Sequence, residues 1–293
     1  LTDELFPEVK KQLKAGNKVL VCGAPCQISG LYTFLKKDYE NLITCDFICK
    51  SVNSTKVFQK YIEWLENKYK SKAKKIKAKD KTTGWHRFSM RVDFENGKSY
   101  LADRYNDPFF VGYLQTELFT MEACFNCQFR GFPRPADITL ADFWGIENVD
   151  KTMDQDLGTS LIIVNSEKGK EYYESLGDAI VSKEFTLKDA EPGNRALYED
   201  ALNRVDRDLR EEFYKDLDKY PFDEIAKKYF PMPTFKRKIM RKLSRFKKVF
   251  SFLSKVGFMP TNIYKLIKLN LFDKKVQKRR KVGVIPYKYS HIE

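Results

Sequence analysis

Six cysteines carry most of the chemistry legible in this 293-residue chain: Cys22, Cys26, Cys45, Cys49, Cys124 and Cys127. Cys124 and Cys127 form a C-x2-C pair, the spacing that lets two thiolates converge on one metal ion or cluster. Only two histidines accompany them, His86 and His291, so any metal site has to be built mainly from sulfur. Six cysteines are too few to staple a chain of this length with disulfides, and no signal-peptide stretch opens it. The chain is therefore expected in the cytoplasm, with reduced thiols available as ligands or nucleophiles.

These thiols need elements to position them. Residues 4–15 read as a helix, Lys18 to Cys22 as a short apolar strand, Gln27 to Lys37 as a helix and Leu42 to Cys49 as a second strand. Strand, helix and strand in so short a span is a βαβ unit with parallel pairing. Cys26 follows the turn after the first strand and Cys49 ends the second. Both are thus expected at the carboxyl edge of the sheet, where open α/β sheets bind ligands. Cys45 lies four residues behind Cys49, more than ~12 Å back at ~3.3 Å per residue. It and Cys22 are expected to be buried structural thiols.

Cys26, Cys49, Cys124 and Cys127 remain as one four-sulfur set, suited to a structural zinc or a [4Fe–4S] cluster. One pair is local, and the other two ligands come singly from different strand ends. That arrangement favours a cluster seated in the fold over a zinc clip. A second feature is the turn Gly23-Ala24-Pro25-Cys26 ahead of a helix, where an anionic group such as a phosphate could sit. Alone it is also an ordinary strand-to-helix turn.

Further along, Val57 to Tyr69 reads as a helix and Lys70 to Lys81 as a basic connector. Phe88, Met90, Val92 and Phe94 alternate ahead of Asn96-Gly97, which predicts an antiparallel hairpin. Ala136 to Phe143 and Ser160 to Val164 supply two more strands, and from Glu167 the pattern turns helical. The fold class is α/β: a parallel βαβ core with an inserted antiparallel hairpin, then a helical C-terminal extension. The expected domains are 1–185, a helical extension 186–235, and a tail 236–293.

The charge is uneven. Lys236 to Lys281 holds 17 basic residues and one acid, a net of +16 within a whole-chain charge of +14, so the body is near neutral. Ile239, Leu243, Phe246, Phe250 and Leu253 form one helical face of that tail. A basic amphipathic helix of this kind can pack on its own protein or lie on an anionic membrane surface. The second case would make the chain peripheral at the inner face of the membrane through 236–281. The near-neutral body offers no phosphate-tracking stripe, so no specific nucleic-acid binding is expected. No uncharged apolar run approaches the ~18 residues of a membrane span.

Several blocks together resemble the coenzyme F420 hydrogenase/dehydrogenase beta-subunit family of flavin and iron–sulfur oxidoreductases. They are KVLVCGAPCQISGL (18–31), NLITCDFICKSVNS (41–54), KDKTTGW (79–85), CFNCQFRGFPRPADITLADFWGI (124–146) and GTSLIIVNSEKG (158–169). Order and spacing agree from about residue 5 to residue 170. The resemblance implies a [4Fe–4S] cluster on Cys26, Cys49, Cys124 and Cys127, the set reached above from spacing. It also implies an FAD nearby, bordered by Gly23, Pro25, Gln27, Lys79, Lys81, Trp85, Asp137, Thr139, Asp142, Trp144 and Gly145. Lys79 and Lys81 would then pair with the pyrophosphate or a reduced flavin ring, and Asp142 with a ring or ribose group.

Electrons would pass between cluster, flavin and a coenzyme or small-molecule substrate. The partner would be a redox protein or an N-terminal ferredoxin-like module, which full-length relatives often carry, so the chain reads as a fragment. Departures from the family pattern fall near these residues: Lys50-Ser51 in place of His-Gly, Ala24 in place of Thr, Lys79 in place of Arg, and Met121-Glu122 where an Arg often precedes the C-x2-C pair. They leave room for a degenerate member acting as a membrane-surface binding or scaffold protein. The sequence names no catalytic residue.

Overall fold

The computed structural model describes residues 3–198 and 205–233. The amphipathic stripe and the basic stretch 236–281 lie outside the described residues. So does the whole 236–293 tail.

A four-stranded sheet holds β1 (Val19–Cys22), β2 (Leu42–Phe47), β6 (Ile138–Asp142) and β7 (Ser160–Val164), in that order. β1–β2 and β2–β6 are parallel, while β7 closes the row antiparallel to β6. Between β1 and β2 runs α2 (Pro25–Leu35), with Pro25 in its first turn, where a missing N–H costs nothing. Its apolar positions Ile28, Leu31 and Leu35 bury against Val21, Leu42 and the Val9/Leu13 face of α1 (Leu5–Lys14). The βαβ unit thus forms as the apolar spacing dictates. The opposite face of the sheet is covered only in part: Cys45 and Ile138 are buried there, while Leu20, Phe47 and Leu140 stand 50%, 44% and 41% exposed. Cys22 shares that face and is exposed with them, so the expectation of a buried structural thiol holds for Cys45 and fails for Cys22. The two thiols are register partners on one face of the sheet, but Cys22 stands on the edge strand β1 while Cys45 stands on the inner strand β2.

The second sheet is antiparallel, β3-β4-β5, from Ala73–Asp80, Ser89–Phe94 and Ser99–Asp103. β4 and β5 form the hairpin predicted from Asn96-Gly97, with Gly97 at φ +79°. β3 falls in the stretch read as a connector. Its lysines give it the look of a solvated linker, and it is an edge strand exposed along most of its length, where charge discourages further pairing. Met90, Val92 and Phe94 bury under α3 (Thr55–Tyr69) and α4 (Pro108–Gln115). The helical extension completes that core: Phe213 and Leu217 of α8 (Arg207–Lys219) and Phe222 and Ile225 of α9 (Phe222–Tyr229) belong to the same cluster. A third cluster gathers Trp85, Phe143, Leu161 and Ile163 with Ile146 of the short α5 (Ile146–Val149) and Ala190 of α7 (Leu187–Ala190). α6 (Glu167–Glu174) follows β7, capped by the Ser166 hydroxyl. The architecture is the expected mixed α/β one. None of the described helices is long and apolar enough to cross a membrane.

Candidate metal centre

Register decides where the thiols go. Val19 pairs with Leu42 and Cys22 with Cys45, so the two parallel strands start in register and β2 runs two residues further, to Phe47. Cys26 then enters the first turn of α2, and Cys49 leaves β2 at the same carboxyl edge. The C-x2-C pair arrives from another part of the chain. Asn53 bridges Thr120 in antiparallel fashion, Ser54 N–H donates to Phe119 O (2.8 Å) and Met121 N–H to Val52 O (2.8 Å). This short ladder lays the turn 122–126 beside the segment after Cys49. The Val52 N–H then donates to Cys124 Sγ at 3.4 Å.

The half-buried Cys49 is the electrostatic centre of the set. Burial pushes its thiol up to about 11, with further upward contributions from Cys124, Cys26 and Cys127 in that order; the Arg130 guanidinium pulls the other way. Four sulfurs from three parts of the chain thus lie within electrostatic reach of one another. Cys26 and Cys127 are exposed, and Cys124 is half-buried. No three of the sulfurs lie within 4.8 Å of one another. Thiolates tetrahedral around one zinc at ~2.3 Å would stand about 3.8 Å apart. A cubane cluster would take each thiolate on a different iron, and a set of four thiols is a donor set of the kind such a cluster uses. Cys45 belongs elsewhere: burial, then its neighbour Cys22, push its thiol up to about 12.

The residues expected around a flavin divide into three groups. Asp137 and Thr139 are buried inside the sheet, and their hydrogen bonds go to the protein. Asp137 accepts from Thr44 N–H and Oγ1 (both 2.9 Å) and from Ser166 Oγ (2.7 Å). The Thr139 hydroxyl donates to Asp46 Oδ1 (2.5 Å) and accepts from Arg134 Nε (3.2 Å) and Asn165 Nδ2 (2.9 Å). Trp85 and Trp144 form the second group, stacked on each other at 4.4 Å and 12°, with Trp85 almost fully buried. The Arg104 guanidinium lies over the Trp144 ring at 4.8 Å. Gly145 follows at φ +91°, the left-handed turn into α5.

The third group lines the open carboxyl edge. Lys79 Nζ pairs with Asp142 Oδ2 at 2.6 Å, and Lys81 Nζ donates to Leu157 O at 2.6 Å. Gln27 Oε1 accepts the Ala24 N–H (2.8 Å), filling the space beside Gly23, while Pro25 is buried at the start of α2. Asp142 ends β6, and Gly23 and Cys26 follow β1, so these three stand at one edge of the parallel strands, with Lys79 of the second sheet tied to it through Asp142.

A family model described as the C-terminal part of the beta subunit of coenzyme F420 hydrogenase/dehydrogenase matches residues 16–192. The chain belongs to this family. The match covers the four cysteines, the Lys79–Trp85 block and the Asp137–Gly145 block. Among solved structures, the F420-reducing [NiFe] hydrogenase complex from Methanosarcina barkeri contains a chain similar at 18% identity and a TM-score of 0.37, covering 75% of this chain. The likeness spans 63% of that chain's own length. No curated protein matches.

Within the family pattern, two of the departures, Lys50 and Glu122, are held by local contacts. Lys50 is turned toward α4, where Nζ donates to the carbonyls of Tyr113 (3.0 Å) and Leu114 (3.3 Å) and pairs with Glu117 (3.3 Å). Burial pulls its pKa down against the Glu117 charge. Glu122 is taken up by Arg207 and Arg210 of α8. Sequence reasoning does not single out Arg130 or Arg134, although both follow the C-x2-C pair closely. Arg130 Nη2 donates to Lys50 O (2.7 Å), beside Cys49. Arg134 is buried against Asp46 at 2.8 Å. Cations near a thiolate cluster are the signal that would draw notice to them.

Proposed function

We propose that this chain is the cofactor-bearing part of an iron–sulfur flavoprotein oxidoreductase, with a [4Fe–4S] cluster on Cys26, Cys49, Cys124 and Cys127 and an FAD along the adjoining carboxyl edge. The observation that carries the reading is the convergence of Cys49 with Cys26, Cys124 and Cys127, sulfurs far apart in sequence. Family membership supports it. When bound, the cluster would take and give single electrons while the flavin exchanges a hydride or electron pair with a coenzyme or small-molecule substrate.

The protein's part is positioning. The Val52 N–H on Cys124 and the Arg130 charge near Cys49 would favour the thiolate forms that ligation needs. Lys79 and Lys81 offer ammonium groups for a pyrophosphate or a reduced ring, with Asp142 to orient Lys79 or accept from a hydroxyl. Gly23, Pro25 and Gln27 would border the same edge, as would Gly145 and the partly buried Trp144. Asp137, Thr139 and Trp85 would act from behind it by holding the strands and the Trp144 ring. The exposed side chains of Leu20, Phe47 and Leu140 would offer an apolar seat for the redox partner protein or ferredoxin-like module such a chain would need.

The test is metal and flavin content of the full-length protein prepared anaerobically. A brown protein whose visible absorption bleaches with dithionite, with at least four irons and one FAD per chain, is expected. A colourless protein that retains stoichiometric zinc after iron and sulfide reconstitution would overturn the assignment.

A further inference from the structure

A second ligand set lies apart from the cysteines. His86, Glu147 and Asp154 come from the β3–β4 turn, from α5 and from the loop before β7, and one ligand atom from each lies within 4.8 Å of the others. His86 Nε2 stands 3.0 Å from both Asp154 oxygens. Glu147 brings a carboxylate oxygen to the same point, and its Oε2 is buried with no hydrogen-bond partner. Two partly buried carboxylates held this close favour positive charge between them. One imidazole N–H, already shared by the two Asp154 oxygens, does not also satisfy Glu147.

A cation at the centre would satisfy all three. Metal bonds of ~2.1 Å put neighbouring ligand atoms about 3.0–3.4 Å apart in octahedral or tetrahedral geometry, which the His86–Asp154 spacing already meets. His86 and Asp154 keep 32% and 19% of their side-chain surface exposed, enough for an ion and its waters to enter. The loop is held ready: His86 N–H donates to Asp156 Oδ1 (2.8 Å), Trp85 N–H to Asp156 O (2.9 Å) and Asp156 N–H to Asp154 Oδ1 (3.1 Å).

We propose that His86, Glu147 and Asp154 bind a first-row divalent cation of the manganese or iron(II) kind. One imidazole with two carboxylates is a mixed nitrogen–oxygen set, too hard for thiolate-seeking ions and softer than the all-oxygen sites of calcium. Its effect would be to lock α5 and the 150–158 loop to the turn carrying Trp85, whose ring lies 4.8 Å from His86 and stacks on Trp144. The ion would therefore fix the Trp85–Trp144 pair without touching the cysteine edge.

The probe is Mn2+ alone, added to the full chain after chelator treatment and followed by the loss of the free-ion EPR signal. One Mn2+ per chain is expected to bind. Glu147→Gln and Asp154→Asn should each weaken it at least tenfold with unchanged circular dichroism, while Cys26→Ser leaves it as in the parent. Should either carboxylate variant fold poorly, His86→Gln supplies the same comparison from the nitrogen side. Absence of stoichiometric uptake by the parent chain, or uptake indifferent to all three substitutions, overturns the site. Because Cys26→Ser removes a cluster ligand, the outcome is separable from the fate of the iron–sulfur reading.

Discussion

Cys22 and Cys45 are register partners on neighbouring parallel strands, and each stands four residues ahead of a thiol at the carboxyl edge of the sheet. The relationship is what makes Cys26 and Cys49 neighbours, because parallel strands in register deliver the residues beyond them to the same place. The ladder between Asn53 and Thr120 then brings the C-x2-C turn to that place from seventy residues downstream.

Cys22 and Cys49 should therefore behave differently on substitution. Cys22→Ser, on the exposed face, should leave the iron content of the anaerobically reconstituted protein near that of the parent. Cys49→Ser and Cys124→Ser should each remove most of it, with folded protein still recovered. Equal iron in the parent and Cys49→Ser would show that the four-sulfur set does not hold the metal.

The buried pair of Arg134 and Asp46 ties the C-x2-C loop to β2. Arg134 also donates to Phe129 O (3.1 Å) and Phe47 O (3.2 Å), so its donors are spent inside the protein. Burial raises the Asp46 pKa, and Thr139 and Arg134 hold it down. Removing the guanidinium by Arg134→Met strands a desolvated carboxylate and should cost about 3–5 kcal/mol in urea unfolding at pH 7. Adding Asp46→Asn should return part of that loss. A single substitution within about 1 kcal/mol of the parent would mean the pair contributes little.

Legibility in the sequence follows physical cause closely. The βαβ unit and the Asn96-Gly97 hairpin are readable because apolar periodicity and a left-handed turn are local. The four thiols are readable because strand direction fixes an edge. β3 is hidden since Lys74, Lys75 and Lys77 on an edge strand look like a linker until a partner strand is known. Cys22 is misplaced for a related reason: the strand pattern does not say that β1 ends its sheet, and on that edge Cys22 is exposed while its register partner Cys45 on the inner strand is buried. The part played by Asp137 and Thr139 depends on whether their oxygens turn inward to Thr44 and Asp46, and those partners lie about ninety residues away. The His86, Glu147 and Asp154 set has no motif spacing at all, as loop packing alone assembles it.

Gly193 lies against the backbone of Trp144. A Cβ placed there would fall 1.5 Å from Trp144 O, a contact with no flexible atom to yield. Gly193→Ala should displace the Trp144 segment, lowering stability by about 1–3 kcal/mol and weakening the near-ultraviolet circular dichroism of the Trp85–Trp144 stack. An unchanged tryptophan signal would mean that the 190–195 segment shifts in place of the ring.

Asp107 is the buried cap of α4, accepting from Phe110 N–H (2.8 Å) on one oxygen and from the Tyr61 (2.7 Å) and Tyr100 (2.9 Å) hydroxyls on the other. Burial outweighs those three donors and pushes its pKa up to about 6 from 3.8. Between these values the folded chain holds a proton that the unfolded chain releases. Stability from this group is therefore present below pH ~4 and lost as pH rises through about 6, a change of about 3 kcal/mol across that interval. Other carboxylates titrate in the same window with the opposite sign, so the parent curve alone does not isolate it. Asp107→Asn keeps an oxygen for Phe110 and offers its amide to the tyrosine oxygens, and it removes the titration. The stability difference between parent and variant should move toward the parent as pH falls from 7 to 4.5 in urea unfolding. Parallel curves would show that Asp107 stays ionised throughout and that its three donors outweigh its burial.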